Sequence, residues 1–430
     1  MSAPAPPAAA DSTQAAAGPL VVTHIGELLT LVPRPGDPLG RVHQAAIVIE
    51  RGQVVYAGPE ADLPRASLPA GATHLDAGGR LVSPGLVEPH AHPLFAGSRA
   101  HEFDLRAQGR SYAEIQAAGG GILSTVRATL AASDEALVTS TAARLDRLLA
   151  CGVTVSEAKT GYALSLDGEL RLLELLARVR RRHPIDLSPT LLAHVPPHEL
   201  SAAERADYVH RFATELVPRA RATGAEAIDV YCDAGAFTLA ETRQLLEAGR
   251  RAGLALRVHA EQFTHTGAAD LAAELGARSV EHLEQLGPDT PARLAAAGTV
   301  CNLLPGAALT LRLPWPDARR LFAAGCTVAL GTDLNPGSSL TESLPLMMSL
   351  GCMQMGMSCA EAWQGVTVAA ARAVGRSDAG HLGPGARGDL VLWDAEDHRE
   401  VPQHFGVPLV RAVALRGQLV SPPSRESLPG

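Results

Sequence analysis

Aromatic side chains are scarce in this sequence. Phe, Trp and Tyr together make up 3% of 430 residues, so a core has to be built from Leu, Val and Ala, and stacking on bases or sugars is not a broad theme. Lysine is scarcer still: Lys159 is the only one, and the other basic residues are arginines. The 37 basic residues are outnumbered by 45 acidic ones, for a formal charge of −8. Without a basic excess to neutralise phosphates, an electrostatic nucleic-acid binder is excluded. The six cysteines, at 151, 232, 301, 326, 352 and 359, form no C-x-x-C pair, which argues against a zinc knuckle or a disulfide framework and for a reduced, cytoplasmic protein. No apolar run reaches 18 residues, so no membrane span is expected. Residues 1–18 are rich in Ala and Pro, and no Lys or Arg precedes Arg34; this matches neither a signal peptide nor a transit peptide and reads as a disordered tail.

What is present is globular: 46% apolar and 19% charged residues, ample for a large core. Two β-rich flanks are expected. "PLVVTHIGELLTL", "QAAIVIERGQVVYAGP" and "GGRLVSPG" lie before residue 86, and "GARGDLVLWDAE" and "PLVRAVALRGQLV" lie near the other end. Between them, short apolar runs alternate with segments at helical spacing, the βα signature of a parallel sheet. The runs number eight: 81–92, 153–161, 186–194, 227–233, 254–261, 277–283, 298–305 and 326–333. Helices are expected at "GELRLLELLARVRRR", "TLAETRQLLEAGRRAG", "GAADLAAELGA", "TPARLAAAG" and "PDARRLFAAG". Eight strands with helical returns indicate a (β/α)8 barrel; an open doubly wound sheet is the alternative. The long first return, 93–152, carries Gly119-Gly120-Gly121. This run does not follow a strand as a dinucleotide fingerprint would, and it reads as a flexible lid or turn.

The strand ends carry the chemistry. His90 and His92 form H-A-H at the end of the first run, where residues i and i+2 share a face. His194 ends the third, Asp233 the fourth, His259 the fifth, His282 the sixth and Asp333 the eighth. In a barrel these ends converge on one face, where imidazoles and carboxylates can hold Zn2+ or iron with a position left for water. Such a metal lowers the pKa of its water toward neutrality. His101, His198, His210 and His265 lack such placement and read as surface or structural residues. The Met-rich run 347–357 reads as a buried helix.

Several longer motifs are far more specific. "SPGLVEPHAHPLFAGSRAHEFDLRAQGRSYAEI", "GGGILSTVRAT", "EAKTGYALSLDGELRLL", "HAEQF", "EHLEQLG" and "GTDLNPGSS" together resemble the imidazolonepropionase family of the amidohydrolase superfamily, over about residues 20–420. The resemblance implies a metal-dependent hydrolase barrel over 83–383. It also implies a small composite β-sandwich domain built from 19–82 and 384–425. It implies hydrolysis of 4-imidazolone-5-propanoate to N-formimidoyl-L-glutamate in histidine catabolism. Metal ligation falls to His90, His92, His259 and Asp333, with one Zn2+ or Fe ion per chain. Arg99, Tyr162, His194, Gln262, Asn335, Gly337 and Ser338 match substrate-binding positions. His282 matches a residue that assists proton transfer, and Asp333 doubles as the group passing a proton from water to the leaving nitrogen. The segments "TLLAH" before His194 and "LLPGAALTLR", and Glu88-Pro89 before His90, depart from the family pattern.

Competing readings are a deaminase of the same superfamily, a binuclear enzyme bridged by a carbamylated lysine, and a silent binding barrel. A deaminase would place Glu three residues after the third metal His, where Gln262 stands, although Glu261 is adjacent. A bridging lysine would sit on the fourth strand, whereas Lys159 is on the second. The partner expected is the small-molecule substrate, with no nucleic acid and no membrane; the helix-rich surface leaves room for a homodimer.

Overall fold

The structure of the chain, a computed structural model, describes residues 18–420 apart from 112, 113, 116–118 and 198. The expected tail up to residue 17, His198, and the last residues of the C-terminal flank, 421–425, lie outside the described residues.

Eight parallel strands form one sheet in sequence order: Leu86–Glu88, Val153–Lys159, Asp186–Ala193, Ala227–Cys232, Ala255–Ala260, Ser279–His282, Val300–Leu303 and Val328–Leu330. Their residues are buried almost throughout, which is why they read as continuous apolar runs. The ring closes just past its first and last members, where Asp333 N donates to His90 O at 3.0 Å and His92 N donates to Leu334 O at 2.9 Å. Strand order that never reverses, together with this closure, makes the sheet a barrel and not a doubly wound sheet.

The returns are helical where the spacing predicts it: Leu166–Arg180, Leu239–Arg251, Ala268–Glu274, Thr290–Ala297 and Ala318–Ala323. Thr238 and Glu241 close a capping box at the start of Leu239–Arg251, whose inner face buries Leu245, Leu246 and Gly249. Gly249 is required there: a Cβ would lie 2.3 Å from Ile228 Cγ2, so any side chain would push the helix off the sheet. Each fully buried leucine contributes roughly 1.5–3 kcal/mol. The Met-rich helix Leu344–Gln354 buries Met347 and Met348 and exposes Met353.

The two flanks join in a second sheet. Its path runs Gln418–Val420, Val410–Leu415, Leu390–Trp393, Leu81–Pro84, Leu20–Leu29, Arg41–Glu50, Gln53–Pro59, and Thr73–Asp76 pairs beside the first half of Leu20–Leu29. Leu390–Trp393 pairs antiparallel with Leu81–Pro84, so the last part of the chain is stitched to the first. Leu20, Ile25, Ile47 and Val82 from one flank and Leu390, Leu392 and Ala414 from the other share a separate small core.

One expected strand is two. The run 81–92 gives Leu81–Pro84 to the flank sheet and Leu86–Glu88 to the barrel, with Gly85 at the handover. A Cβ on Gly85 would sit 2.2 Å from Thr154 Oγ1, so the close crossing onto the second barrel strand tolerates only glycine. His90 and His92 therefore follow the strand instead of lying within it.

Candidate metal centre and substrate cavity

The strand ends bring His90, His92, His259 and Asp333 together at the C-terminal mouth of the barrel. Ligand atoms of the three imidazoles all lie within 4.8 Å of one another. Asp333 Oδ1 is 3.4 Å from both His90 Nε2 and His92 Nε2. Metal–ligand bonds of about 2.0–2.1 Å at tetrahedral angles place neighbouring donors about 3.3–3.4 Å apart, so this spacing fits one Zn2+-sized ion. His90 Nδ1 is 3.0 Å from Glu281 Oε2, and His259 Nδ1 is 2.9 Å from Asp229 Oδ2. A carboxylate accepts only from a protonated nitrogen, so the hydrogen-bonded His90 ring carries its proton on Nδ1 and presents the Nε2 lone pair, while Asp229 lies beside His259 as a charged neighbour. His90 Nε2, His92 Nδ1 and His259 Nδ1 are buried and have no hydrogen-bond partner among the described residues. Burial drives His92 well down, and it drives His259 down to about 4 despite the opposing pull of Asp229, which keeps both rings neutral and able to ligate.

Beneath this mouth the barrel interior is charged. Lys159 Nζ reaches Asp229 Oδ2 at 2.5 Å and Glu157 Oε2 at 2.8 Å, and Arg257 Nη1 reaches Glu157 Oε1 at 2.9 Å. Asn302 and Ser279 donate to Glu281. Burial pushes Glu88 up to about 8, so it is protonated at neutral pH. That leaves the carboxylates of Glu157, Asp229, Glu281 and Asp333 against the cations Lys159 and Arg257, all buried. Burial and Lys159 oppose a charge on His90, but Asp333 and Glu281 outweigh them and raise its pKa to about 9, so a proton on this ring offsets part of the excess. Once the three imidazoles are neutral, as ligation requires, two negative charges remain, and uncompensated buried charge is costly. A single divalent cation at the three histidines and Asp333 neutralises them. Burial opposes the charge on Lys159, but Asp229 and Glu157 outweigh it and raise its pKa, holding it as an ammonium. Carbamylation requires the neutral amine, so this lysine is poorly suited to bridge two metals.

A cavity of about 470 Å³ opens above the centre. Every expected site residue except His90 lines it: His92, His259 and Asp333; Arg99, Tyr162, His194, Gln262, Asn335, Gly337 and Ser338; and His282. His90 lies fully buried behind them. His194 donates through Nδ1 to Gly161 O at 3.1 Å and stacks on His92 at 5.7 Å between ring centroids. Burial takes its imidazole down to about 3, so it stays neutral with Nε2 as an acceptor. Tyr162 stands on the tight loop after the second strand. The buried Glu169 carboxylate holds this loop by accepting from Gly161 N, Ala163 N and Leu164 N at 2.7–2.9 Å. Gln262 Oε1 accepts from Tyr231 OH at 3.0 Å, which turns its amide nitrogen away from Tyr231. His282 Nδ1 lies 3.6 Å from Glu284.

After the last strand, Asn335 folds its own loop. Its Oδ1 accepts from Gly337 N and Ser338 N, both at 2.8 Å, and its Nδ2 donates to Asp333 O at 2.7 Å. The Arg99 guanidinium lies against Gly337, where a Cβ would fall 2.1 Å from Arg99 Nη1. Backbone strain gathers at these strand ends. Glu261, His282, Leu283 and Asp333 all take positive φ, between 52° and 75°, a conformation costing on the order of 1–3 kcal/mol for such residues.

Two acidic candidates serve loops instead. Asp233 accepts from Phe263 N and Thr264 Oγ1. Glu261 accepts from His265 Nδ1, Thr266 N, Gly267 N and Ala269 N, capping the helix Ala268–Glu274. It is absent from the cavity wall, so it does not replace the glutamate of a deaminase. Sequence reasoning missed Glu281, Asp229, Glu157, Arg257, Glu169, Tyr231 and Glu102 as functional supports. A signal for the first four was present: charged residues standing alone in otherwise apolar, fully buried strands must be paired inside the barrel.

Comparison with known proteins places this geometry. The model of the Amidohydrolase family matches residues 116–421, and the chain belongs to that family. It is 42% identical over 415 residues to imidazolonepropionase of Geobacillus kaustophilus, covering 94% of this chain and 98% of the relative. It is 43% identical over 392 residues to imidazolonepropionase of Myxococcus xanthus, covering 90% and 91%. Within the amidohydrolases, the chain is a member of the imidazolonepropionase family. A solved structure of N-isopropylammelide isopropylaminohydrolase from Burkholderia multivorans superposes with a TM-score of 0.67 over 94% of this chain and 98% of that one; at 22% identity it speaks for the fold alone.

Proposed function

We propose that this chain opens the ring of 4-imidazolone-5-propanoate by hydrolysis, giving N-formimidoyl-L-glutamate in histidine breakdown. One observation carries the reading: Arg99, a fork suited to a carboxylate, faces the same cavity as the metal-binding histidines. His90, His92, His259 and Asp333 would hold one Zn2+ or Fe2+ ion. When bound, that ion supplies Lewis acidity toward the ring carbonyl and a water acidified toward neutrality.

The protein groups do the rest. Arg99, with Ser338 and the Gly337 backbone beside it, binds the propanoate. Tyr162 and the Gln262 amide orient the ring, and His194 Nε2 accepts a ring N–H. His282 stabilises negative charge developing on the ring oxygen. The Asp333 carboxylate takes a proton from the attacking water and delivers it to the departing ring nitrogen, and Ser338 Oγ, 3.5 Å from Asp333 Oδ2, steadies it. Six free thiols support a reducing compartment such as the cytoplasm.

The test is turnover by purified protein together with elemental analysis. Conversion of imidazolone propanoate with about one zinc or iron per chain is expected. Faster release of ammonia from guanine or cytosine would establish the deaminase reading, and about two metals per chain would defeat the mononuclear site.

A further inference from the structure

Glu102 lies within the "GSRAHEF" motif, yet nothing in the reaction above uses it. It is buried, in the first turn of the helix Ala100–Ala107, whose N-cap residue is Arg99. Residues three apart on a helix meet, and here both contacts fall on one oxygen: Oε2 accepts from Arg99 Nε at 2.8 Å and lies 2.7 Å from Nη2 as an ion pair. Oε1 accepts from Gly121 N at 3.0 Å, the residue that opens the helix Ile122–Ala131. One carboxylate therefore joins two distant parts of the long first return, and Arg99 from one and Ile122 from the other both line the cavity. The bond to Nε, with Nη2 in ion contact, orients the guanidinium and carries Nη1 to the wall at Gly337. Because Glu102 cancels the Arg99 charge, the pair offers an anion direction and planarity more than net attraction.

We propose that Glu102 is a positioning residue that sets specificity for the substrate's carboxylate tail: it aims Arg99 and pins the Gly121 turn beside it. This rests on the reading of Arg99 as the tail-binding residue. Recognition then depends on a planar carboxylate at the reach of a two-carbon arm, and a tail-less ring gains nothing from Glu102.

The experiment compares 4-imidazolone-5-propanoate with the same imidazolone lacking the propanoate, and uses imidazole-4-propanoate as a non-reacting binding probe. Glu102→Ala should raise KM for the tailed substrate and weaken the probe about 10- to 100-fold, the scale of a charge-assisted bond, with kcat within about threefold. The loss on the tail-less ring should be much smaller. Glu102→Gln keeps the volume and a carbonyl oxygen for Gly121, so it folds if Glu102→Ala does not; it should show the same split, and Glu102→Asp should recover part. Equal losses on both substrates, or no loss on either, overturn the proposal. Arg99→Ala separates the two ideas. If it spares the tail-less ring while Glu102→Gln shows no such split, only the role of Glu102 falls; if Arg99→Ala harms both rings equally, the tail-binding reading itself is wrong.

Discussion

At the entry end of the barrel, Asp186, Glu226 and Asp378 are met by Arg180, Arg376 and Arg387. Arg376 bridges Asp186 and Glu226 at 2.9 and 2.8 Å, Arg180 meets Glu226 at 2.9 Å, and Arg387 spans Asp186 and Asp378 at 2.7 and 3.1 Å. At the exit end, Lys159 and Arg257 meet Glu157 and Asp229, while Glu281 and Asp333 face the imidazoles of His90 and His92. The residue types are the same, but the balance differs. A cluster whose carboxylates are each paired with arginine, Asp389 with Arg387 included, fastens the barrel to the segment leading into the C-terminal flank. A cluster whose carboxylates outnumber its lysine and arginine partners is a receptor for a cation, and the three imidazoles say where that cation sits. Charge deficit in a buried cluster, more than the presence of charge, separates a site from a brace.

Breaking the deficient end should have the largest effect. His90→Ala or Asp333→Ala should cut bound metal below about a tenth per chain and lower kcat/KM by at least about a thousandfold, checked by elemental analysis beside turnover; full metal and full rate in both variants would remove them from the ligand set. The supports come next. Glu281→Gln or Asp229→Asn leaves the ligands in place but loosens one ring and removes one negative charge, so metal affinity measured by chelator competition should fall about 10- to 100-fold. The entry end should respond least and in another currency. Burial works to raise the Asp186 pKa, but Arg376 and Arg387 outweigh it and bring it to about 2. The folded value is depressed below the unfolded 3.8, so the contribution, about 2 kcal/mol, is present above pH 4 and lost as the pH falls toward 2. Asp186→Asn should lower the melting temperature at pH 7 by about 2–3 °C and flatten that acid dependence, with metal content and kcat unchanged. A loss of metal in Asp186→Asn would erase the distinction between the two ends.

Much of this could be read from residue order. Short buried runs punctuated by helical spacing locate all eight barrel strands, because both faces of such strands are covered and their residues are mostly apolar. Histidines and aspartates at strand ends have one place to go in a closed barrel. Other features were hidden for physical reasons. Leu81–Pro84 and Leu86–Glu88 form one apolar run, and nothing local says that Gly85 passes the chain from one sheet to another. Thr73–Asp76 has no buried side to announce it. Asn335 reads as a ligand contact, yet both ends of its amide hold the loop, which only the folded turn reveals. Glu102 and Glu169 act through backbone N–H groups, and backbone partners leave no mark in composition or spacing.

Lys159 is the only lysine in the chain, and its side chain is fully enclosed between Asp229 and Glu157. The folded surface therefore presents no ε-amine to a succinimidyl ester or to glutaraldehyde. Peptide mapping should find label on Lys159 only after denaturation, so its uptake becomes a direct clock for opening of the barrel.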